Sequence, residues 1–116
     1  MSVIAAKPTA RATVAPDDET LAKQAAEASR VLSVLANESR LLILCYLMMR
    51  KEMKVGDLVD AVKLSQSALS QHLTKLREEG LVDFRRESQT LYYRIADPRA
   101  GKIIKLLKKL YCEDFS

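Results

Sequence analysis

A chain of 116 residues with 48% hydrophobic content can bury one compact core and leaves little room for a second. No apolar run approaches the ~18 residues of a membrane span and the start lacks the apolar stretch of a secretory signal, so a cytoplasmic protein with no membrane partner is expected. The formal charge of +4 hints at an acidic partner, and the absence of paired acids, a nucleophile with its base or a phosphate-cradling glycine loop argues against an enzyme.

Residues 1–16, "MSVIAAKPTARATVAP", mix small residues with prolines and hold no period, so they are read as a flexible tail ahead of a folded domain over 17–116. Asp17 and Asp18 are expected to cap a helix running to about Ser33, with Leu21, Ala25, Ala28 and Leu32 on one face. Asn37 is the expected N-cap of a second helix through about Met49. Its "LLILCYLMM" is apolar nearly all round, which makes it the centre of the core and places Cys45 inside it. In "KVGDLVDAV" a short third helix groups Val55, Leu58, Val59 and Val62, and "KLS" is then long enough only to change direction. The helix that follows opens at N-cap Ser65, buries Leu69, Leu73 and Leu76, and stops at Gly80. "LVDF" and "TLYYRI" alternate at period two through Val82, Phe84, Leu91, Tyr93 and Ile95, a hairpin joined by "RRESQ" without the glycine or asparagine of a strong turn. Asp97 and Pro98 start a last helix to about Tyr111, with Ile103, Leu106, Leu107 and Leu110 on one face.

The two short helices around "KLS" match a helix-turn-helix, whose second helix enters the DNA major groove. In that helix Gln66, Ser67, Ser70, Gln71 and Thr74 fall on the outward side, with Ser65 at its start, and no acidic side chain intervenes before Glu78. Short hydroxyls let a helix approach base edges and phosphates, and a glutamine amide can pair with adenine N6 and N7. Arg85 and Arg86 on the hairpin would make positioning contacts to the backbone of double-stranded DNA. A merely solvated helix face would have the same composition; the order of elements along the chain is what favours DNA. His72, beside the leucine stripe, is expected to be packed or phosphate-facing rather than a metal ligand. The basic run Arg99, Lys102, Lys105, Lys108 and Lys109 reads as a solvated helix surface.

"LANESRLLIL", "LSQSALSQHLTKLREEGLV" and "QTLYYRI" resemble, in order and in leucine and glycine positions, the ArsR/SmtB family of winged helix-turn-helix transcriptional repressors over about Val31 to Ile95. Glu38 stands where many members carry proline, and a carboxylate there still favours the helix dipole. The resemblance implies a mainly α fold with a small β-hairpin wing. A homodimer through the first and last helices is expected, because their apolar faces have no other use in so small a fold, and its recognition helices would meet half-sites ~34–36 Å apart. Many members sense metals. Here the ligand box of the third helix reads Lys54, Val55, Gly56 and Asp57, without a thiol, and the last helix offers Arg99, Lys102 and Lys105 in place of a histidine and carboxylate set, so neither metal nor cofactor is expected.

Cys45 in "LLILCYL" and Cys112 in "LLKKLYC" form no CxxC or other short metal spacing. Their positions resemble the thiol pair of the persulfide-sensing branch of that family, the BigR/SqrR/HlyU type. That resemblance implies a polysulfide or disulfide bridge between Cys45 and Cys112 that releases operator DNA. Cys112, with Lys108 and Lys109 nearby but Glu113, Asp114 and the negative helix end opposing them, is expected to be the first nucleophile, and Cys45 the more sluggish thiol. A general peroxide-responsive dithiol switch, or a constitutive DNA-binding antirepressor with inert cysteines, would use the same residues.

Overall fold

In the computed structural model, which describes residues 15–112, the order of elements is α1 (Ala15–Leu35), α2 (Glu38–Arg50), β1 (Met53–Lys54), α3 (Val55–Val62), α4 (Gln66–Glu78), β2 (Val82–Glu87), β3 (Thr90–Ile95) and α5 (Pro98–Tyr111). It is a mainly helical fold with a small antiparallel sheet, as the sequence implies. The chain divides into two compact units, Met1–Leu32 and Ser33–Ser116.

The first unit is represented by the body of α1. That helix begins at Ala15, ahead of the expected cap, so Asp17 and Asp18 lie in its first turn, where their charges still oppose the positive helix end. Pro16 is tolerated because an N–H in the first turn has no helical partner to lose. Residues 1–14 of the expected tail lie outside the described residues, as do Glu113 and Asp114. Along α1, Leu21 and Leu32 are 64% and 54% exposed, and Ala25 and Ala28 are exposed with them.

In the second unit α2 is central and packs against α3, α4, α5 and β3. Asn37 caps it as expected, its Oδ1 accepting the Arg40 N–H at 3.0 Å. Ile43, Leu44 and Leu47 are buried completely or nearly so, and burying each such side chain contributes about 1.5–3 kcal/mol. Leu42 and Met49 are exposed and Cys45 is only half-buried. The helix therefore has an outer face that its near-continuous apolar sequence conceals.

α3 buries Leu58 and Val62, and the chain turns through Lys63, which adopts the left-handed conformation at φ 59°. Ser65 then caps α4, its Oγ accepting the Ala68 N–H at 3.1 Å. Gly80, at φ 76°, ends α4 in a Schellman motif: Leu81 N–H donates to the Leu76 carbonyl and Gly80 N–H to that of Arg77, each at 2.9 Å.

The wing departs from the two-stranded expectation. β1 pairs antiparallel with β3, Met53 opposite Tyr93, so the sheet has the order β1-β3-β2. Arg85, Arg86 and Glu87 belong to β2 rather than to the turn, which closes at Ser88 and Gln89 with Ser88 supplying the positive φ of 60°. A two-residue hairpin needs such a conformation even where neither glycine nor asparagine is present.

α5 starts at N-cap Asp97, whose Oδ1 accepts the Arg99 N–H at 2.9 Å, with Pro98 in the first turn. Its buried stripe is Ala100 and Ile104, not the expected Ile103, Leu106, Leu107 and Leu110; Leu106 and Leu110 are 54% and 62% exposed. α5 thus has an inner small-and-apolar face against α2 and a second apolar face turned outward. No single helix among the described residues is long and apolar enough to cross a membrane.

Candidate nucleic-acid interface and dithiol site

α4 presents its polar side to solvent because its leucines are used inward. Leu69, Leu73 and Leu76 are at most 2% exposed. Ser65, Gln66, Ser67, Ser70, Gln71 and Thr74 are all exposed, on one side of the helix start and body. Ser65 and Ser67 hydroxyls lie 3.3 Å apart, so the first turn is held together by its own side chains. Lys75 and Arg77 lie in the last turn, where their charges suit the helix dipole, and Lys75 pairs with Glu79 at 3.7 Å.

His72 is half-buried at the back of α4, where its Nδ1 accepts from Arg40 Nε at 3.4 Å. The same guanidinium donates to the Val34 carbonyl at 3.0 Å. His72 is therefore packed rather than presented outward.

At the wing root the guanidinium of Arg77 lies 5.0 Å from the ring centre of Phe84, and the Phe84 and Tyr93 rings meet tilted at 52° with their centres 5.3 Å apart. Arg85 does more than face solvent: it donates to both carboxylate oxygens of Glu52, at 2.9 and 3.0 Å, and to Glu87 at 3.1 Å, while stacking 4.4 Å from the centre of the Tyr92 ring. The Arg85 hydrogen bonds hold the Glu52 carboxyl below the usual carboxylate range and keep the guanidinium firmly charged. Arg86, on the next position of β2, is exposed. A cleft of about 770 Å³ separates α4 from the wing, walled by Gln66, Ser70 and Thr74 on one side and Gln89 and Thr90 on the other, with Lys54 also on its lining. As cleft residues, Lys54, Gln89 and Thr90 were not read from the sequence; the one signal for the last two is that they sit where the hairpin must turn.

The two cysteines lie on the packed pair α2 and α5, far from α4's polar face in sequence. Both are free thiols and both are half-buried. Burial pushes the Cys45 thiol up; the positive charge of Lys108 opposes that rise and the nearby Cys112 adds to it. Lys108 and Cys112 therefore both bear on Cys45 across the helix pair. The sequence assigned Lys108 to Cys112 alone, because both lie near one helix end; the packing of α5 on α2 also directs its charge to Cys45. Cys45 also lines an apolar pocket of about 500 Å³ bounded by Ala36, Asn37, Glu38, Leu41 and Leu42.

Residues 37–83 match the model of the bacterial regulatory proteins of the arsR family. The transcriptional activator HlyU of Vibrio cholerae is 45% identical over 95 residues, covering 82% of this chain and 87% of HlyU. The structure of reduced HlyU from that organism matches with a TM-score of 0.77 at 46% identity, covering 81% of this chain and 98% of the other. The transcriptional repressor BigR of Xylella fastidiosa matches with a TM-score of 0.74 at 33% identity, covering 82% and 96%. A homodimeric winged helix-turn-helix DNA-binding domain from Mycobacterium bovis matches with a TM-score of 0.70 at 32% identity, covering 81% and 86%.

Proposed function

The chain belongs to the arsR family of bacterial regulatory proteins, and within that family we propose that it is a cytoplasmic, dimeric repressor whose grip on operator DNA is switched by reactive sulfur at Cys45 and Cys112. That it is a DNA-binding transcriptional regulator, not an enzyme, follows from the family. The oxidant, the bridge and the sign of regulation are the proposal.

On this reading α4 enters the major groove with Gln66, Ser67, Ser70, Gln71 and Thr74 toward the bases and Ser65 at a phosphate. Arg86 meets the backbone from the wing, while Arg85 reaches it only by sharing its guanidinium with Glu52 and Glu87. The outward apolar faces of α1 and α5, with Leu21, Leu32, Leu106 and Leu110 exposed, suit a homodimer of the kind described for the Mycobacterium bovis domain.

The observation that carries the sulfur-sensing reading is the placement of two free, half-buried thiols on the packed helices α2 and α5, with Cys112 near enough to bear on Cys45. A thiol raised by burial is slow toward peroxide because the thiolate is the reacting form, and its exchange with a sulfane sulfur draws on the same thiolate fraction. In the balanced reaction each cysteine takes the outer sulfur of a persulfide R–S–SH and releases R–SH. A third persulfide accepts the two electrons and two protons given up when the cysteine persulfides join, leaving R–SH and hydrogen sulfide beside a tetrasulfide bridge. The bridge ties the core helix to α5 and biases how the paired α4 helices are held. Reversing occupancy from 99:1 to 1:99 takes ~5.5 kcal/mol of difference between the two states. Because phosphate contacts add up, a small misplacement repeated in both protomers supplies much of that.

The test is to select duplexes from a random pool with the reduced protein, then measure binding to the selected site before and after a persulfide donor. Loss of binding that a reducing agent restores supports the reading; unchanged binding leaves a constitutive DNA-binding protein, and loss only with peroxide leaves a general redox switch.

A further inference from the structure

We propose that Arg85 and Glu52 form a strut across the outer face of the wing, which holds the wing ready for DNA without touching it, and that of the two adjacent arginines only Arg86 grips the phosphate backbone. This deepens the reading of the chain as a DNA-binding regulator and rests on it, while owing nothing to the cysteines.

The strand register separates the two arginines. Successive side chains of a strand point to opposite faces of its sheet, and directly paired residues share a face. Arg86 stands opposite Leu91 and Phe84 opposite Tyr93, so these four lie on one face. That face looks toward α4: the Arg77 guanidinium lies 5.0 Å from the Phe84 ring centre, and Leu91 and Tyr93 line the cleft between α4 and the wing. Arg85 stands opposite Tyr92 on the other face, together with Asp83, Glu87 and Arg94. A duplex seated on α4 therefore meets the face of Arg86. Sharing its guanidinium is the only way for Arg85 to reach DNA, and the sheet face it occupies closes that way.

Arg85 is also committed within the protein. From β2 it runs over the Tyr92 ring, 4.4 Å from its centre, and so crosses β3 to end on Glu52, the residue before β1. Nε donates to Oε2 of Glu52 at 2.9 Å and Nη2 to Oε1 at 3.0 Å, while Nη1 donates to Glu87 at 3.1 Å. An isolated surface ion pair fixes little; a bidentate pair stacked on a ring and joined to a third charge fixes more. Glu52 is in turn carried on the end of α2, where Lys51, at φ 72°, donates its N–H to the Leu47 carbonyl at 2.8 Å. The strut thus spans all three strands and ties the far strand of the wing to the core helix. Arg86 is exposed and has no ion-pair partner among the described residues, which leaves its guanidinium donors for phosphate.

Phosphate contacts do not depend on sequence, so the experiment titrates a random-sequence duplex with the full-length reduced protein over a series of salt concentrations. The slope of log affinity against log salt counts the phosphates neutralised. Arg86→Gln is expected to flatten that slope by about 1 per protomer, and Arg85→Gln to leave it unchanged. Without the strut the wing must be ordered on binding, which costs affinity but leaves the number of phosphates met the same. Glu52→Gln removes a negative charge from the wing, which by charge alone tightens binding, yet it is expected to weaken binding roughly threefold. The double variant Arg85→Gln/Glu52→Gln is expected to bind no more weakly than Arg85→Gln, since one strut is lost in both. A slope flattened by Arg85→Gln, or binding unchanged or tightened by Glu52→Gln, overturns the proposal. An unaltered protein that binds no duplex at all overturns the DNA reading itself and the strut's role with it, a result distinct from the others.

Discussion

Arg40 of α2 donates from Nε to Nδ1 of His72 on α4 at 3.4 Å while holding the Val34 carbonyl through a second guanidinium nitrogen at 3.0 Å. One side chain therefore ties the recognition helix to the corner at which the core helix begins. Removing the guanidinium leaves the Val34 carbonyl and the His72 acceptor without that partner, a loss of about 1–3 kcal/mol. Arg40→Met is expected to lower stability by that amount in urea unfolding and to weaken operator binding, since α4 is then held mainly by its leucines. Unchanged binding with lowered stability would confine Arg40 to the core.

Gln71 is exposed at the middle of the polar side of α4, one helical turn from Ser67 and Thr74 in either direction. If its amide reads a base edge, Gln71→Ala costs about 1–3 kcal/mol on the selected operator and little on random DNA. Titrating both duplexes at fixed salt separates the cases; equal losses would make Gln71 a backbone contact.

The wing carries its own pH signature. Glu52 is held below the usual carboxylate range chiefly by its hydrogen bonds from Arg85. A carboxylate with a lowered folded value contributes stability above its unfolded value and loses it as pH falls through the folded one. The Glu52 side-chain carbon signal should therefore titrate below that of a free glutamate. In an Arg85→Ala variant it should return to the ordinary range, and a signal unmoved by that substitution would contradict the ion pair.

Most of the helix-turn-helix was legible before any coordinates, because its determinants are local. Asn37, Ser65 and Asp97 cap helices through their own side chains, and Gly80 supplies the positive φ that ends α4. Features set by distant partners were not legible. β1 is two residues long and exists only because β3 pairs with it, and the stripe α5 buries is chosen by α2 rather than by its own strongest apolar period. The engagement of Arg85 with Glu52 spans 33 positions, and the influence of Lys108 on Cys45 crosses two helices, so neither leaves a spacing to read. The polar side of α4 was found because a helical period predicts it; the cleft residues Lys54 and Gln89 were not, because only the fold assembles that wall.

Each thiol should be dispensable for DNA binding and indispensable for release. Cys45→Ser and Cys112→Ser leave the outward side of α4 untouched, so both are expected to bind the selected operator within about twofold of the unaltered protein, a difference of under 0.5 kcal/mol. Both should remain bound when given a persulfide donor. Release of either variant by that donor would rule out a mechanism that needs both sulfurs.

The most direct measurement is the intact mass of anaerobically reduced protein after a persulfide donor, beside a matched sample given peroxide. The account expects the persulfide sample to gain two sulfur atoms and lose two hydrogens, with the added mass mapping to a Cys45–Cys112 crosslink, while peroxide leaves the protein largely unchanged. A crosslink formed by peroxide alone, or none with either reagent, would contradict it.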